Sequence, residues 1–150
     1  MPSQALGTPA TRTVLITGSS RGIGAATAVL CASQGWAVAV NYTRDAAAAQ
    51  AVVQRIQLSG GTAQTFQADV ADEAQVVALF EAVDAALPPL GALVNNAGVV
   101  DFASRVAELV PEVPLQRAGS ADEVAQAIAW LLSDAASYMT ASLIDVTGGR

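Results

Sequence analysis

The stretch of this chain best equipped for chemistry is Thr17-Gly18-Ser19-Ser20-Arg21-Gly22-Ile23-Gly24. Each of its glycines answers a separate need. Gly18 permits a tight turn, Gly22 lets a pyrophosphate approach the backbone, and Gly24 allows close packing of a following helix. The N–H groups of Ser19, Ser20, Arg21, Gly22 and Ile23, with the positive end of that helix, are the natural cradle for a phosphate. A glycine-rich turn of no function can show the same spacing. The position of the loop decides between them: it lies between the first strand-like run and the first helix-like run of an alternating series.

The groups available for catalysis are few. All seven basic residues are arginines, so the chain has no lysine, and it has no histidine. Carboxylates, hydroxyls, two tyrosines and the arginines remain. With one cysteine, Cys31, and no histidine, a zinc or other soft-metal site is not expected.

The elements that must position the loop follow from periodicity. Thr13 to Thr17 is a short apolar run of strand character. Ile23 to Gln34 reads as a helix stopped by Gly35, and Trp36 to Asn41 as a second strand. Asp45 caps a helix through about Leu58, with Val52, Val53 and Ile56 facing inward. A third strand spans about Thr62 to Ala68. Asp72 caps a helix whose Val76, Phe80, Val83 and Leu87 recur at helical spacing. Pro88-Pro89 ends it before a fourth strand at Ala92 to Val94. Strands alternating with helices of this length require crossovers and so a parallel sheet. Beyond Gly98 the rhythm fails, with a weak helical stretch around Phe102–Leu109. Ser120 and Glu123 then form a capping box that opens a helix through about Ser133, with Val124, Ile128 and Leu131 on one face. Ser142 to Val146 is a final short strand. The fold class expected is α/β, a three-layer Rossmann-like doubly wound parallel sheet.

In such a fold an acid near the end of the second strand holds the ribose 2′-hydroxyl of NAD. Here that place reads Asn41-Tyr42-Thr43-Arg44, with no acid before Asp45. Arg21 and Arg44 are suited instead to a 2′-phosphate. NADP is therefore the preferred cofactor and NAD the alternative, while Arg44 as a mere solvated loop charge stays open.

The chain resembles the short-chain dehydrogenase/reductase family. The resemblance rests on Thr17-Gly18-x-x-x-Gly22-x-Gly24, Asp69-Val70 after the third strand, and Asn95-Asn96-Ala97-Gly98 after the fourth. It resumes with Pro114 to Gly119, Asp122 to Ala125, Trp130 to Asp134, Ser137 to Thr140 and Asp145 to Gly149. It implies that Asp69 and Val70 contact adenine and that Asn95, Asn96, Ala97 and Gly98 line the nicotinamide ribose, though Asn and Gly would equally serve a plain strand-end turn. It also implies NAD(P)-dependent interconversion of alcohols and ketones.

Members of the family resemble a single domain of roughly 250 residues. This chain is about 100 residues shorter, and the loss is internal. The whole of residues 1–150 is thus expected to be one shortened NAD(P)-binding domain, with a loose arm over residues 1–12 and a join within residues 101–111. The missing part holds two strands, a long helix, a serine and a Tyr-x-x-x-Lys motif, so the sheet is expected to keep about five strands. Either the last strand moves in beside the fourth, or the edge of the fourth stays open. In the family a tyrosine moves a proton at the substrate oxygen, and a phenol of pKa near 10 needs a neighbouring cation to do so at neutral pH. Tyr42 falls in the loop after the second strand, Tyr138 is followed four residues on by Ser142, and Ser104 has no base beside it. Asp101 and Glu108 read as surface charges. No catalytic residue is therefore assigned.

Composition bounds the partners. Hydrophobic residues at 53% and charged residues at 13% exclude a disordered chain. A net charge of −6 argues against nucleic acid or an anionic membrane surface. No apolar run is long enough to span a bilayer, and no apolar leader precedes Thr13. The single cysteine fits a reducing, cytoplasmic setting. A homo-oligomer stays open, but the family's dimer contact uses the missing helix and is not expected to be inherited. Three readings of function follow. The first is a family member that binds the dinucleotide without turnover. The second is a non-enzymatic sensor or partner of a full-length paralogue. The third is an engineered deletion or misassembled gene with no selected function.

Overall fold

A computed structural model of the chain describes residues 10–98, 106 and 109–149. Residues 1–9 of the arm expected over residues 1–12 and the calls at Asp101, Ser104 and Glu108 lie outside the described residues, as does most of the expected join.

The elements run β1 (Thr13–Ile16), α1 (Gly22–Ser33), β2 (Ala37–Tyr42), α2 (Ala46–Leu58), β3 (Thr62–Gln67), α3 (Glu73–Ala86), β4 (Leu90–Val94) and α4 (Ala121–Leu131). Short 3₁₀ turns at Val110–Glu112 and Asp134–Ala136 flank α4. The four strands form one parallel sheet in the order β3-β2-β1-β4. The connection from β3 to β4 thus passes over β2 and β1, and the sheet is doubly wound, as the sequence led us to expect.

β1 lies in the middle, and all four of its residues are buried. That is why it reads as a continuous Val-Leu-Ile run instead of an alternating one. Its side chains split between two cores. Val14 and Ile16 join Val38, Val40, Ala28, Cys31, Val53 and Ile56 beneath α1 and α2. Leu15 joins Ala39, Phe66, Leu79 and Val83 beneath α3. Each fully buried Val, Leu or Ile contributes about 1.5–3 kcal/mol. Cys31 belongs wholly to the first core, where burial pushes its thiol up to about 11 and leaves it a small hydrophobe.

Helix starts agree with the sequence. The Asp45 carboxylate accepts from the Ala48 N–H at 2.9 Å, and Asp72 accepts from Ala74 and Gln75 at 3.0 and 3.2 Å. The capping box forms in both directions, with Glu123 N–H to Ser120 Oγ at 3.2 Å and Ser120 N–H to Glu123 Oε2 at 2.8 Å.

Two expectations are corrected. The inward face of α4 is Ala125 and Ala129, with Val124 and Ile128 half-buried and Leu131 exposed. The cause is its seat: α4 packs against α1, and small residues let the two helices approach closely. The final strand at Ser142–Val146 does not form, so the described sheet has four strands and not five. Its residues have strand propensity, but strand structure is a property of a pair. The family's neighbouring strand falls in the missing part. Of the two outcomes weighed for β4, the open edge is the one seen among the described residues.

The Ser120–Glu123 cap is reinforced by Arg117, whose Nη2 sits 2.6 Å from Glu123 Oε1. Hydrogen bonding to Arg117, and then to the Ser120 N–H, holds the Glu123 carboxyl at about 2. An unfolded glutamate protonates near the ordinary value of 4.5. The cap therefore stabilises the fold in full above about pH 4.5 and is lost as the pH falls toward 2. Glu123→Gln should flatten that part of a plot of melting midpoint against pH and leave the plot above pH 5 parallel to that of the parent. An unchanged slope between pH 4.5 and 2 would show that the carboxylate contributes nothing to the cap.

Candidate functional site

The glycine loop leaves the C-terminal end of β1 and is held from both sides. Towards β4, the Thr17 N–H donates to the Val94 carbonyl at 3.0 Å, and Thr17 Oγ1 accepts from the N–H groups of Asn96 and Ala97, both at 3.0 Å. The Asn96 amide returns two bonds, from Nδ2 to the carbonyls of Thr17 at 3.0 Å and Gly18 at 3.2 Å. Towards β2, Asn41 Oδ1 accepts from the Gly18 N–H at 3.1 Å, and the Asn41 carbonyl accepts from the Ser19 N–H at 2.9 Å. Asn41 Nδ2 reaches on to the carbonyls of Phe66 at 3.3 Å and Ala68 at 3.2 Å. Two asparagines and a threonine thus tie the ends of all four strands to one loop.

Within the clamp, Gly18 adopts φ +62°, and a Cβ on it would stand 2.9 Å from Ala97 Cα. At Gly24 a Cβ would stand 2.5 Å from Asn96 Nδ2 and 2.8 Å from the Gly18 carbonyl oxygen. Gly22 differs. Its φ is +57°, but a Cβ there would meet nothing within 4 Å. The backbone at Gly22 is therefore bare and faces open space, where a ligand could lie against it.

The start of α1 is equally bare. Its N-cap is Arg21 in extended conformation, with no side-chain hydrogen bond to the helix and no acid in the first turn. By contrast α2, α3 and α4 each carry an Asp or Ser cap. The first turn of a helix presents N–H groups with no intrahelical partner. On α1 these groups and the positive helix end begin at Gly22 itself.

The other expected site residues gather at the same edge of the sheet. Arg21 and Arg44 are exposed, as are Asp69, Val70, Asn95, Ala97 and Gly98; Ser20, Tyr42 and Asn96 are half-buried. Ile23 is about a third exposed. Asp69 also shapes the turn into α3, its Oδ1 accepting from the Ala71 N–H at 3.0 Å.

Two of the expected contact residues are placed otherwise. Asn41 is only 1% exposed, and its amide is used at both ends by the loop and β3. Ser19 is buried, with Oγ donating to the Ile16 carbonyl at 2.7 Å. Both side chains are buried and engaged in holding the loop. Thr17, omitted from the candidate residues, is the hub of the β4 side of the clamp. The sequence signal was a threonine ending an apolar strand at the exact point where the chain turns.

Tyr138 is fully exposed on the segment after α4, and Tyr42 packs against the first core. Among the described residues, no group of three or more His, Cys, Asp or Glu could hold a metal ion, and no helix is long and apolar enough to cross a membrane. A concavity of about 400 Å³ lined by Arg12, Trp36, Trp130 and Asp134 opens near the starts of β1 and β2, at the other end of the strands from the loop. Ligands of open α/β sheets bind outside the carboxyl ends of the strands, which is where the glycine loop lies.

Comparison with known proteins agrees with this geometry. The short chain dehydrogenase family profile matches residues 12–128. The uncharacterized oxidoreductase YgfF of Escherichia coli (strain K12) is 32% identical over 243 aligned positions, which include 91% of this chain and 98% of that protein. Since 91% of 150 residues is about 137, roughly a hundred of the aligned positions have no counterpart here, which is an internal loss. Elsinochrome reductase 1 of Elsinoe fawcettii is 46% identical over 91 residues, 61% of this chain but only 34% of that one, so the chain spans about a third of its length. Among solved structures, the landomycin C-6 ketoreductase LanV with bound NADP and rabelomycin superposes with a TM-score of 0.80 at 22% identity, covering 92% of this chain and 95% of that chain. That likeness shows a shared fold. By the profile match and by the identity to YgfF, the chain belongs to the short-chain dehydrogenase/reductase family.

Proposed function

We propose that this chain binds NADP(H) at the glycine loop and does not turn over a substrate. The observation that carries the reading is the pairing of bare backbone at Gly22 with the uncapped start of α1. Every other described α-helix caps itself with its own side chain. This one presents its N–H groups beside a glycine held with open space before it. A pyrophosphate supplies the missing cap and is attracted by the helix end. Adenine then lies near Asp69 and Val70, and the nicotinamide ribose near Asn95 to Gly98. Arg21 and Arg44 are exposed cations at the end where the second strand carries no acid, and they suit a 2′-phosphate. LanV, which shares the fold, was solved with NADP bound, and this supports the choice.

The bound dinucleotide would supply or accept a hydride. The chain's own task would then be the proton, and its residues do not provide for it. A tyrosine acting at neutral pH needs a cation close enough to lower its pKa. No lysine exists in the chain, Tyr138 is fully exposed, and Tyr42 is half-buried against the first core. Keto-reduction by this chain is therefore not expected, whatever the carbonyl compound offered.

Titration with NADPH should give saturable binding and a raised melting midpoint, with NADH weaker. Arg44→Ala should cut the preference for NADPH by about tenfold, the loss of one charge-assisted contact, and leave NADH affinity nearly unchanged. Equal binding of the two cofactors by the parent chain would remove the role given to Arg44.

Incubation of the NADPH complex with a broad panel of ketones and aldehydes should leave absorbance at 340 nm flat. Steady cofactor consumption with any of them would overturn the non-catalytic half of the proposal and leave the binding half standing.

Asn41→Ala should destabilise the fold by about 1–3 kcal/mol, because buried amide and carbonyl groups lose their partners. It should also weaken NADPH binding, although residue 41 touches no ligand. A variant that melts earlier yet binds NADPH as tightly as the parent would show that the loop needs no support from β2.

A further inference from the structure

The chain carries two halves of a strand pair that do not meet. The first is the outer edge of β4. On one side β4 is hydrogen-bonded to β1; on the other, among the described residues, it has no strand neighbour. An edge of this kind offers a row of N–H and C=O groups to any extended segment. Nothing on β4 discourages pairing. Its sequence, Leu90-Gly91-Ala92-Leu93-Val94, has no charge and no proline, and Leu93 is 43% exposed.

The second half is Ser142–Val146. It has the composition of a strand, yet it lies in irregular conformation with Leu143 90% exposed and Ile144 and Val146 partly exposed. A local turn precedes it, and its C-terminal flank is tied to a distant part of the chain. The Met139 N–H donates to the Ala136 carbonyl at 2.9 Å, and the Gly148 carbonyl accepts from the Leu115 N–H at 3.2 Å. The segment is thus tied down beyond its C-terminal end, carries one charge at Asp145 among Leu143, Ile144 and Val146, and has no sheet to join among the described residues.

We propose that Ser142–Val146 of one copy adds to the outer edge of β4 in a second copy, and that the exchange is reciprocal. The side-chain alternation matches. Ile144 and Val146 extend the half-buried row of Ala92 and Val94, and Leu143 then falls on the side of Leu93. The occupant is a second copy because, among the described residues, the chain itself supplies both an edge without a neighbour and a strand-like segment outside the sheet, and the two do not meet within one copy. Reciprocal exchange about a two-fold axis closes the assembly and leaves neither edge open; one-way exchange would run on into chains.

Light scattering on the purified chain should show a concentration-dependent dimer. Leu143→Lys should raise its dissociation constant by at least about tenfold, while Leu58→Lys, equally exposed on α2, should leave it unchanged. Chains carrying Leu93→Cys and Leu143→Cys, mixed and treated with a short bis-maleimide, should give a covalent dimer containing one of each; buried Cys31 does not compete. A monomer at all concentrations would overturn the proposal. So would efficient cross-linking of Leu93→Cys chains with each other, which would mean that β4 pairs with β4. Cross-linking within a single chain carrying both substitutions at high dilution would overturn it too, since the segment would then reach its own edge.

Discussion

Everything at the candidate site depends on keeping one short loop rigid while leaving its backbone uncovered. Those demands conflict, because the usual way to fix a loop is to cover it. The chain resolves the conflict by holding the loop from behind. Thr17, Asn41 and Asn96 spend their polar groups on carbonyls and N–H groups at the rear of the turn, and the glycines keep the front free of side chains. Each such bond is worth about 0.5–1.5 kcal/mol net, but the cost of leaving a buried partner unmet is larger. The clamp therefore acts more through what its loss would expose than through what each bond adds. It also explains why Gly24 admits no Cβ: the space is occupied by the Asn96 amide that closes the clamp.

The clamp works only because the four strand ends lie side by side. A parallel sheet with β1 in the centre puts the ends of β2 and β4 on either side of the loop, and β3 one step beyond, within reach of the Asn41 amide. α1 must leave the loop at a fixed angle, and it is held by the sheet on one side and by α4 on the other. The segment after the missing part therefore still serves the site. It supplies no strand to the described sheet, but it braces the helix that begins at the glycine loop.

Much of this was legible in the sequence, and the exceptions share a cause. Features encoded within a few residues were readable: the Asp45 and Asp72 caps, the Ser120–Glu123 box, the period of α2 and the glycine spacing. Features that need a distant partner were not. Asn41 occupies the position where a ribose-binding acid would stand, so it reads as a ligand contact, and only the fold brings Gly18 and Phe66 to its two ends. Ser142–Val146 has the residues of a strand, but its neighbour in the family is not in this chain. Leu131 fits a helical apolar stripe, yet the short alanines are what let α4 settle on α1.

The proposed separation of binding from catalysis rests on where each chemical task is encoded. Holding a dinucleotide needs backbone, a helix end and a few loop cations, all of which arise from the first four strands and their crossovers. Moving a proton at a carbonyl oxygen needs a phenol with a lysine nearby, and the family carries both on the stretch that is absent here. The two sets of residues share no members. A glycine loop does not sense whether a tyrosine stands opposite. The clamp behind the loop is complete within residues 17–97, so its hydrogen bonds draw on none of the residues that the family uses for the chemistry.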